Sequence, residues 1–291
     1  HQVAGELGAE PRFDGEAGDG FPLIGEVLHG DYNLIVNDEM LDSCTNYECY
    51  KGLYSSFNSM NMFEIAHSLH RQFGGDPWCI YRGKHLVSFA DNHDVTRLAS
   101  ILTCTEHLRG AYGVLFGMPG IPCLYYGSEW GQLGQKGTGY LADVEIRPQL
   151  DAPAADALEH LAAGWEGGGA PNQLTAYICE LNHVRRASRA LCHGTYRNVV
   201  ITNKQLLFER DAAAEGEQAP ERVLVAVNAE DCPFTLNDGT LNGRFEVLLA
   251  SAPCADDPNA APDYPQTGDL LELEGSLTLL PYGVMYLRRT M

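Results

Sequence analysis

Apolar residues in this chain gather in short runs that stop abruptly at polar groups. "PLIGEVLHG" (22–30) is one such run and ends at Glu26. "KHLVSFAD" (84–91) and "GIPCLYYG" (120–127) are two more, and "DSCTNYECYKGLYSSF" (42–57) holds a further short strand before a helix. Between them lie helical patterns. In "NMFEIAHSLHRQFG" (61–74), Met62, Ile65, Ala66, Leu69 and Phe73 recur at helical spacing, and Gly74-Gly75 closes the pattern. "EHLRGAYGVLFGMPG" (106–120) reads as a helix and a turn, and "QLTAYICELNHVRRASRAL" (173–191) as a long helix. Strands alternating with helices at these distances predict βαβ units and a parallel sheet, with each strand buried on both faces.

The texture changes near residue 194. "RNVVITN", "QLLFER", "RVLVAVNA", "CPFTLN", "RFEVLLA", "LLELEGSLTLLP" and "GVMYLRR" alternate between apolar and polar positions, with turn residues between them. They predict an antiparallel β-sandwich of about seven strands. The expected domains are 1–193 (α/β) and 194–291 (all-β), with a polar, Pro-rich loop at 252–269 inside the second. Residues 1–10 read as the end of a helix, 11–21 as a Gly- and Asp-rich loop, and "APAADALEHLAA" as a short helix within an irregular stretch at 135–170.

Charge narrows the partners. With 19 Lys and Arg against 39 Asp and Glu, the formal net charge is −20. Such a chain repels nucleic-acid backbones and anionic membranes and favours neutral or cationic ligands, while the charge also serves solubility. No apolar run approaches the roughly 18 residues that a membrane span needs. The nine cysteines are odd in number and follow no disulfide or zinc spacing. They read as small buried hydrophobes in a reducing compartment, which places the protein in the cytoplasm. No metal or organic cofactor is expected, since no Asp/Asn cluster has calcium-loop spacing. The sequence is silent on oligomeric state.

Two carboxylates directly follow predicted parallel strands, Glu26 and Asp94, each with a histidine nearby, His29 and His93. In α/β barrels the site forms from residues at the C-terminal ends of several strands. Each carboxylate also has a structural alternative. Glu26 could be a solvent-facing strand end, and Asp94 an N-cap for "VTRLAS".

"FADNHD" (89–94) resembles the signature that ends the seventh barrel strand in the α-amylase family, glycoside hydrolase family 13. There Phe, His and Asp occupy the positions of Phe89, His93 and Asp94. "LIGEVLHGD" (23–31) is similar to the family's strand-five motif, "DSCTNYECYKGL" (42–53) to its strand-six region, and "MPGIPCLYYGSEWG" (118–131) to its strand-eight segment. The C-terminal strands resemble the family's terminal β-domain. The likeness covers most of residues 20–291, with the motifs in the family's order.

The resemblance implies the C-terminal half of a (β/α)8 TIM barrel, strands five to eight, followed by an antiparallel sandwich. It implies a retaining α-glycosidase, α-amylase- or neopullulanase-like, acting on an α-glucan or maltooligosaccharide. Such chemistry uses a nucleophile and an acid/base carboxyl about 5–5.5 Å apart around an oxocarbenium-like transition state. By resemblance Glu26 is the acid/base, Asp94 the carboxylate that stabilises the transition state, and His93 and His29 substrate contacts. A transglycosylase on the same scaffold and a non-catalytic carbohydrate-binding protein are the alternatives.

The family's nucleophile ends strand four in an Arg-x-Asp motif. Arg12-Phe13-Asp14 matches that motif, but only 12 positions separate Asp14 from Glu26. That is too few for a parallel crossover followed by a strand. The family's strand-three Asn-His pair is also missing, and the chain opens on His1 within a helical pattern. The expectation is therefore the C-terminal part of a larger enzyme, unable to hydrolyse α-glucan by itself.

Overall fold

A computed structural model describes residues 22–149, 172–252 and 263–290. The helices expected at 1–10 and in "APAADALEHLAA", together with Asp14, lie outside the described residues.

Four short strands follow one another in parallel: β1 (Ile24–Gly25), β2 (Ser43–Cys44), β3 (Val87–Phe89) and β4 (Ile121–Cys123). β1 pairs with β2 and β3 with β4. A parallel bridge from Thr45 to Val87 joins the two pairs, and the Asn46 N–H donates to the Val87 carbonyl at 2.8 Å. The order β1-β2-β3-β4 matches the expected succession of βα units. Burial differs from expectation. β2 and β3 are buried, but β1 and β4 are only partly covered: Ile24 is half exposed and Cys123 lies open. The inner strands have strand neighbours on both sides, whereas each outer strand has one among the described residues.

Local chemistry fixes the helices. Asn46 caps α1 (Tyr47–Asn58) by accepting from the Cys49 N–H, and Glu48 sits in the first turn, where the helix dipole favours an acid. Cys49, Leu53 and Phe57 of α1 face inward at helical spacing. In α2 (Phe63–Phe73) the buried positions are Ile65, Ala66, Leu69, Gln72 and Phe73, close to the face read from the sequence. A single turn, α3 (Leu98–Ile101), precedes α4 (His107–Gly117), which is buried along its whole length. The helix expected over 173–191 is two helices, α5 (Gln173–Ala187) and α6 (Arg189–His193). Ser188 breaks it: its backbone is extended, and its hydroxyl accepts from the Leu191 N–H to cap α6.

The C-terminal strands form one six-stranded antiparallel sheet, not two sheets. Its strands are β5 (Thr195–Ile201), β6 (Gln205–Ala212), β7 (Glu221–Asn228), β8 (Phe234–Ser251), β9 (Leu270–Leu279) and β10 (Val284–Arg289), in the order β5-β6-β7-β10-β8-β9. All seven predicted segments are strands, but "CPFTLN" and "RFEVLLA" merge into the 18-residue β8. The register of β8 against β9 slips between Asn237 and Asn242, at the turn residues that separate the two predicted segments. Side chains alternate between the two faces. Phe208, Val223, Val225, Val227 and Tyr286 join the core shared with the helices. Leu207, Leu224, Ala226, Met285 and Leu287 point the other way, into a second core with Leu236, Leu241, Leu277 and Leu279 of the β8–β9 hairpin. β8 also reaches β5, so the long hairpin folds back across its own sheet.

Helix α4 packs against this sheet on β7 and β10, and against α1 and α5. The Tyr286 hydroxyl donates to the Gly113 carbonyl, and Nε2 of His107 lies 2.9 Å from the Ala229 carbonyl. A Cβ added at Gly113 would stand 2.8 Å from Cγ1 of Val284, so the absence of a side chain there permits the close approach.

The cysteines only partly follow expectation. Cys44 and Cys49 are buried, while Cys123, Cys179 and Cys232 are exposed, and all eight described cysteines are free. Cys179 lies on the outer side of α5, where an apolar neighbourhood in sequence does not mean burial in space. Among the described residues no helix is long and apolar enough to cross a membrane.

Candidate active site

The turn after β3 divides its polar groups between the interior and solvent. Phe89 ends the strand, stacked on Tyr50 and edge-on to Tyr47. Asp91 turns inward and is 3% exposed. Its Oδ2 accepts from the Leu98 N–H at 2.7 Å, and its Oδ1 accepts from the Ser128 hydroxyl at 2.7 Å. Asp91 therefore serves the start of α3, which removes the N-cap alternative for Asp94. Burial pushes the Asp91 carboxyl above its ordinary range, against the opposing pull of these two hydrogen bonds and of Arg97.

Asn92 shapes the next step. Its Oδ1 accepts from the Asp94 N–H at 2.8 Å, closing a local turn that sends His93 and Asp94 outward. Its Nδ2 donates to the Tyr47 hydroxyl at 2.8 Å, and that hydroxyl donates to Oε1 of Glu26 at 3.1 Å. Nε2 of His93 stands 3.6 Å from Oδ2 of Asp94 and 4.0 Å from Oε1 of Glu26. One donor or acceptor atom from each of Glu26, His93 and Asp94 falls within 4.8 Å of the others. The structure thus brings together three of the four residues singled out in the sequence. His29 does not join them. It is exposed and lines a neighbouring hollow with Tyr47 and Tyr81.

Three further residues act on the cluster. Nη2 of Arg147 pairs with Oδ1 of Asp94 at 2.7 Å, and its Nε donates to the His93 carbonyl at 2.8 Å. Lys136 Nζ donates to the Asp94 carbonyl at 2.6 Å. Tyr47 holds Glu26 as described. Burial comes first in raising the Tyr47 phenol; the hydrogen bond to Glu26 and the charges of Glu26 and Asp94 raise it further, against donation from Asn92. The phenol therefore stays a donor to Glu26. Tyr47 lies inside the quoted "DSCTNYECYKGL", so its motif was visible while its role was not. Arg147 and Lys136 come from the irregular 135–170 stretch, which carries no periodic signal.

One imidazole and two carboxylates could in principle ligate a cation. The Arg147 guanidinium on Asp94 opposes a second positive charge there, so the arrangement fits neutral, hydroxyl-rich ligands better. The site is open: Glu26, His93 and Asp94 are each between 38% and 46% exposed at the side chain. A buried guanidinium underpins it. Arg97 is fully buried, donates to the carbonyls of Ile146 and Tyr126, and lies 4.0 Å from the centre of the Tyr125 ring.

No family model matches the chain. Alpha-amylase 1 of Schizosaccharomyces pombe is 33% identical over 109 residues, which are 36% of this chain and 17% of that protein. Over those residues the chain is similar in sequence to that α-amylase. The Anoxybacillus α-amylase superposes with a TM-score of 0.66 at 20% identity, over 93% of this chain and 53% of that one. AmyP in complex with maltose gives 0.67 at 16% identity, over 99% of this chain and 59% of that one. The cyclic α-maltosyl-(1→6)-maltose hydrolase of Arthrobacter globiformis gives 0.60 at 18% identity, over 92% and 50%. The chain thus shares its fold with α-amylase-family structures and spans about half of their length. Its antiparallel sheet falls within the matched span.

Proposed function

We propose that this chain carries the acid/base and the transition-state-stabilising carboxylates of a retaining α-glycosidase that acts on maltooligosaccharides or related α-glucans. The observation that carries this reading is the convergence of Glu26, His93 and Asp94 beyond the ends of β1 and β3, the parallel strands on either side of β2. In this reading Glu26 protonates the departing glycosidic oxygen and then takes a proton from water, with Tyr47 fixing the carboxyl that does both. Asp94, anchored by Arg147, places negative charge beside the developing oxocarbenium ion. His93 donates to a sugar hydroxyl between them. β1 to β4 correspond to barrel strands five to eight within residues 1–193, and residues 194–291 form the terminal β-domain. A third carboxylate, the nucleophile, comes from outside the described residues. The maltose and maltotriose complexes of AmyP support an oligosaccharide as ligand.

The test is turnover of maltooligosaccharide followed by product chromatography. The 291-residue chain alone is expected to give no products. Supplemented with a polypeptide carrying four further parallel strands and an Arg-x-Asp strand end, it is expected to release α-anomeric products, and Glu26→Gln is expected to abolish that release. Hydrolysis by the chain alone that is lost on Asp14→Asn would overturn the assignment of the nucleophile. Turnover insensitive to Glu26→Gln would overturn the role of Glu26. Transfer products in place of free sugars would mark a transglycosylase, as in the cyclomaltodextrin glucanotransferase CldA, which has a similar fold.

A further inference from the structure

At the opposite end of the parallel strands from Glu26 and Asp94 lies a hollow of about 260 Å³. It opens where the chain enters β3 and β4 and where α6 passes into β5. Its lining includes Arg82, Lys84, His85, His193 and Arg210, and no Asp or Glu is among its described lining residues. In a chain of net charge −20, a concave surface whose described acidic and basic side chains are all basic runs against the average.

Behind it stand two buried guanidiniums. Arg210 is 1% exposed and Arg185 is 5% exposed. Neither pairs with a carboxylate among the described residues. Arg210 donates to the carbonyls of Gly117, Gly194 and Thr195, and Arg185 to those of Phe116, Met118 and Gly120. Three of these six carbonyls, those of Phe116, Gly117 and Met118, close the C-terminal end of α4, whose dipole is worth about half a negative charge. Two full positive charges against about half a negative one leave a surplus of more than one, inside low dielectric where fields are poorly screened. The surplus is felt by its neighbours. Burial and Arg185 together push Arg210 down to about 9. Burial first, then His193, Arg185 and Arg210, lower His85. Carboxylates on the adjoining segments are engaged elsewhere: Asp76 pairs with His70, and Asp211 with Arg222.

The mouth has donors to spare. The His85 and His193 rings stand 5.5 Å apart, edge to face, and neither ring is hydrogen-bonded to another side chain or carbonyl among the described residues. Lys84 spends one of its three ammonium protons on the Val36 carbonyl. The volume falls below the roughly 300–1,000 Å³ of drug-sized ligand sites, which suits a small, charge-dense ligand.

We propose that this hollow binds a phosphate dianion, free or carried on a small metabolite, with Lys84, His85 and His193 as direct donors and Arg185 and Arg210 supplying the field. The site is independent of the glycosidase reading, so either can fail alone.

Calorimetric titration of the 291-residue chain with inorganic phosphate and with glucose 6-phosphate tests it, with ionic strength held constant by sodium chloride. Saturable one-to-one binding is expected, weakened at least about tenfold in the Lys84→Gln/His193→Gln double variant. Equal affinities would identify free phosphate as sufficient, and tighter binding of the sugar phosphate a metabolite. No saturable binding of either ligand, or binding untouched by the double variant, would overturn the proposal. Should the double variant not fold, the exposed His193→Gln single variant and phosphate-induced shifts of the His85 and His193 ring resonances decide the same question. Rings that ignore phosphate at saturating concentration reject the site.

Discussion

The Tyr47 hydroxyl donates to Oε1 of Glu26 across 3.1 Å, between residues 21 positions apart in sequence. It joins the end of β1 to the first turn of α1, and through Asn92 to the turn after β3. A carboxyl so held has one orientation toward anything placed between Glu26 and Asp94.

The same pair makes the phenol report on Glu26. The carboxylate favours the neutral phenol, both as hydrogen-bond acceptor and as negative charge. Glu26→Gln removes the charge, so Tyr47 is expected to ionise at lower pH in the variant than in the parent. The tyrosinate absorbance difference between the two proteins over alkaline pH measures this. Superimposable titrations would mean that the pair does not form in solution.

Asp91 gives an acid-side prediction. Its folded pKa lies above the unfolded value of about 3.9, because burial disfavours the charge. The native state therefore binds its proton more tightly than the unfolded chain. The resulting stability is fully present below the unfolded pKa and is lost as pH rises through the folded one. Asp91→Asn cannot titrate, so the parent's stability relative to this variant is expected to grow as pH falls from neutral toward 4. Urea midpoints over that range test the sign. Asp91→Ala is expected to cost about 1–3 kcal/mol at any pH, because the Leu98 N–H and the Ser128 hydroxyl both lose their acceptor.

Arg147 fastens the segment around residues 136–147 to the turn after β3, through Asp94 and the His93 carbonyl. Lys136 and the Thr96 hydroxyl add two more ties. Both partners of the ion pair are partly solvated, so Arg147→Ala is expected to change global stability by less than about 1 kcal/mol. Amide exchange is expected to accelerate across 136–147 and nowhere else. Exchange that quickens throughout the protein would contradict a local role.

The sequence revealed the order of elements because strong local signals set it. The Met62-to-Phe73 periodicity, the Gly74 stop and the apolar runs before Glu26 and Asp94 each answer to residues within one turn or strand. What it hid depends on non-local partners. Ser188 is the exception: its break is local, one extended residue whose hydroxyl caps α6 at the Leu191 N–H, concealed by the helical pattern on either side of it. β8 reads as two strands because Asn237, Asp238 and Gly239 carry turn chemistry, yet pairing with β9 resumes at Asn242 beyond them and keeps both halves in one strand. Within the site, carboxylates at strand ends were legible from pattern and resemblance. Arg147 was not, since an arginine in an aperiodic stretch gains meaning only from what it folds against.

Helix α4 meets the C-terminal sheet through a bare backbone at Gly113, with Val284 packed where a side chain would stand and Tyr286 bonded to its carbonyl. The change of texture at residue 194 is thus a seam in the sequence but not in the hydrophobic core, which runs through it. Severing the chain there would strip one wall from α4, which packs against α1, the helix that backs β3. The two parts should therefore melt as a single calorimetric unit, and whatever steadies the sheet also steadies the strand ends that carry Glu26 and Asp94.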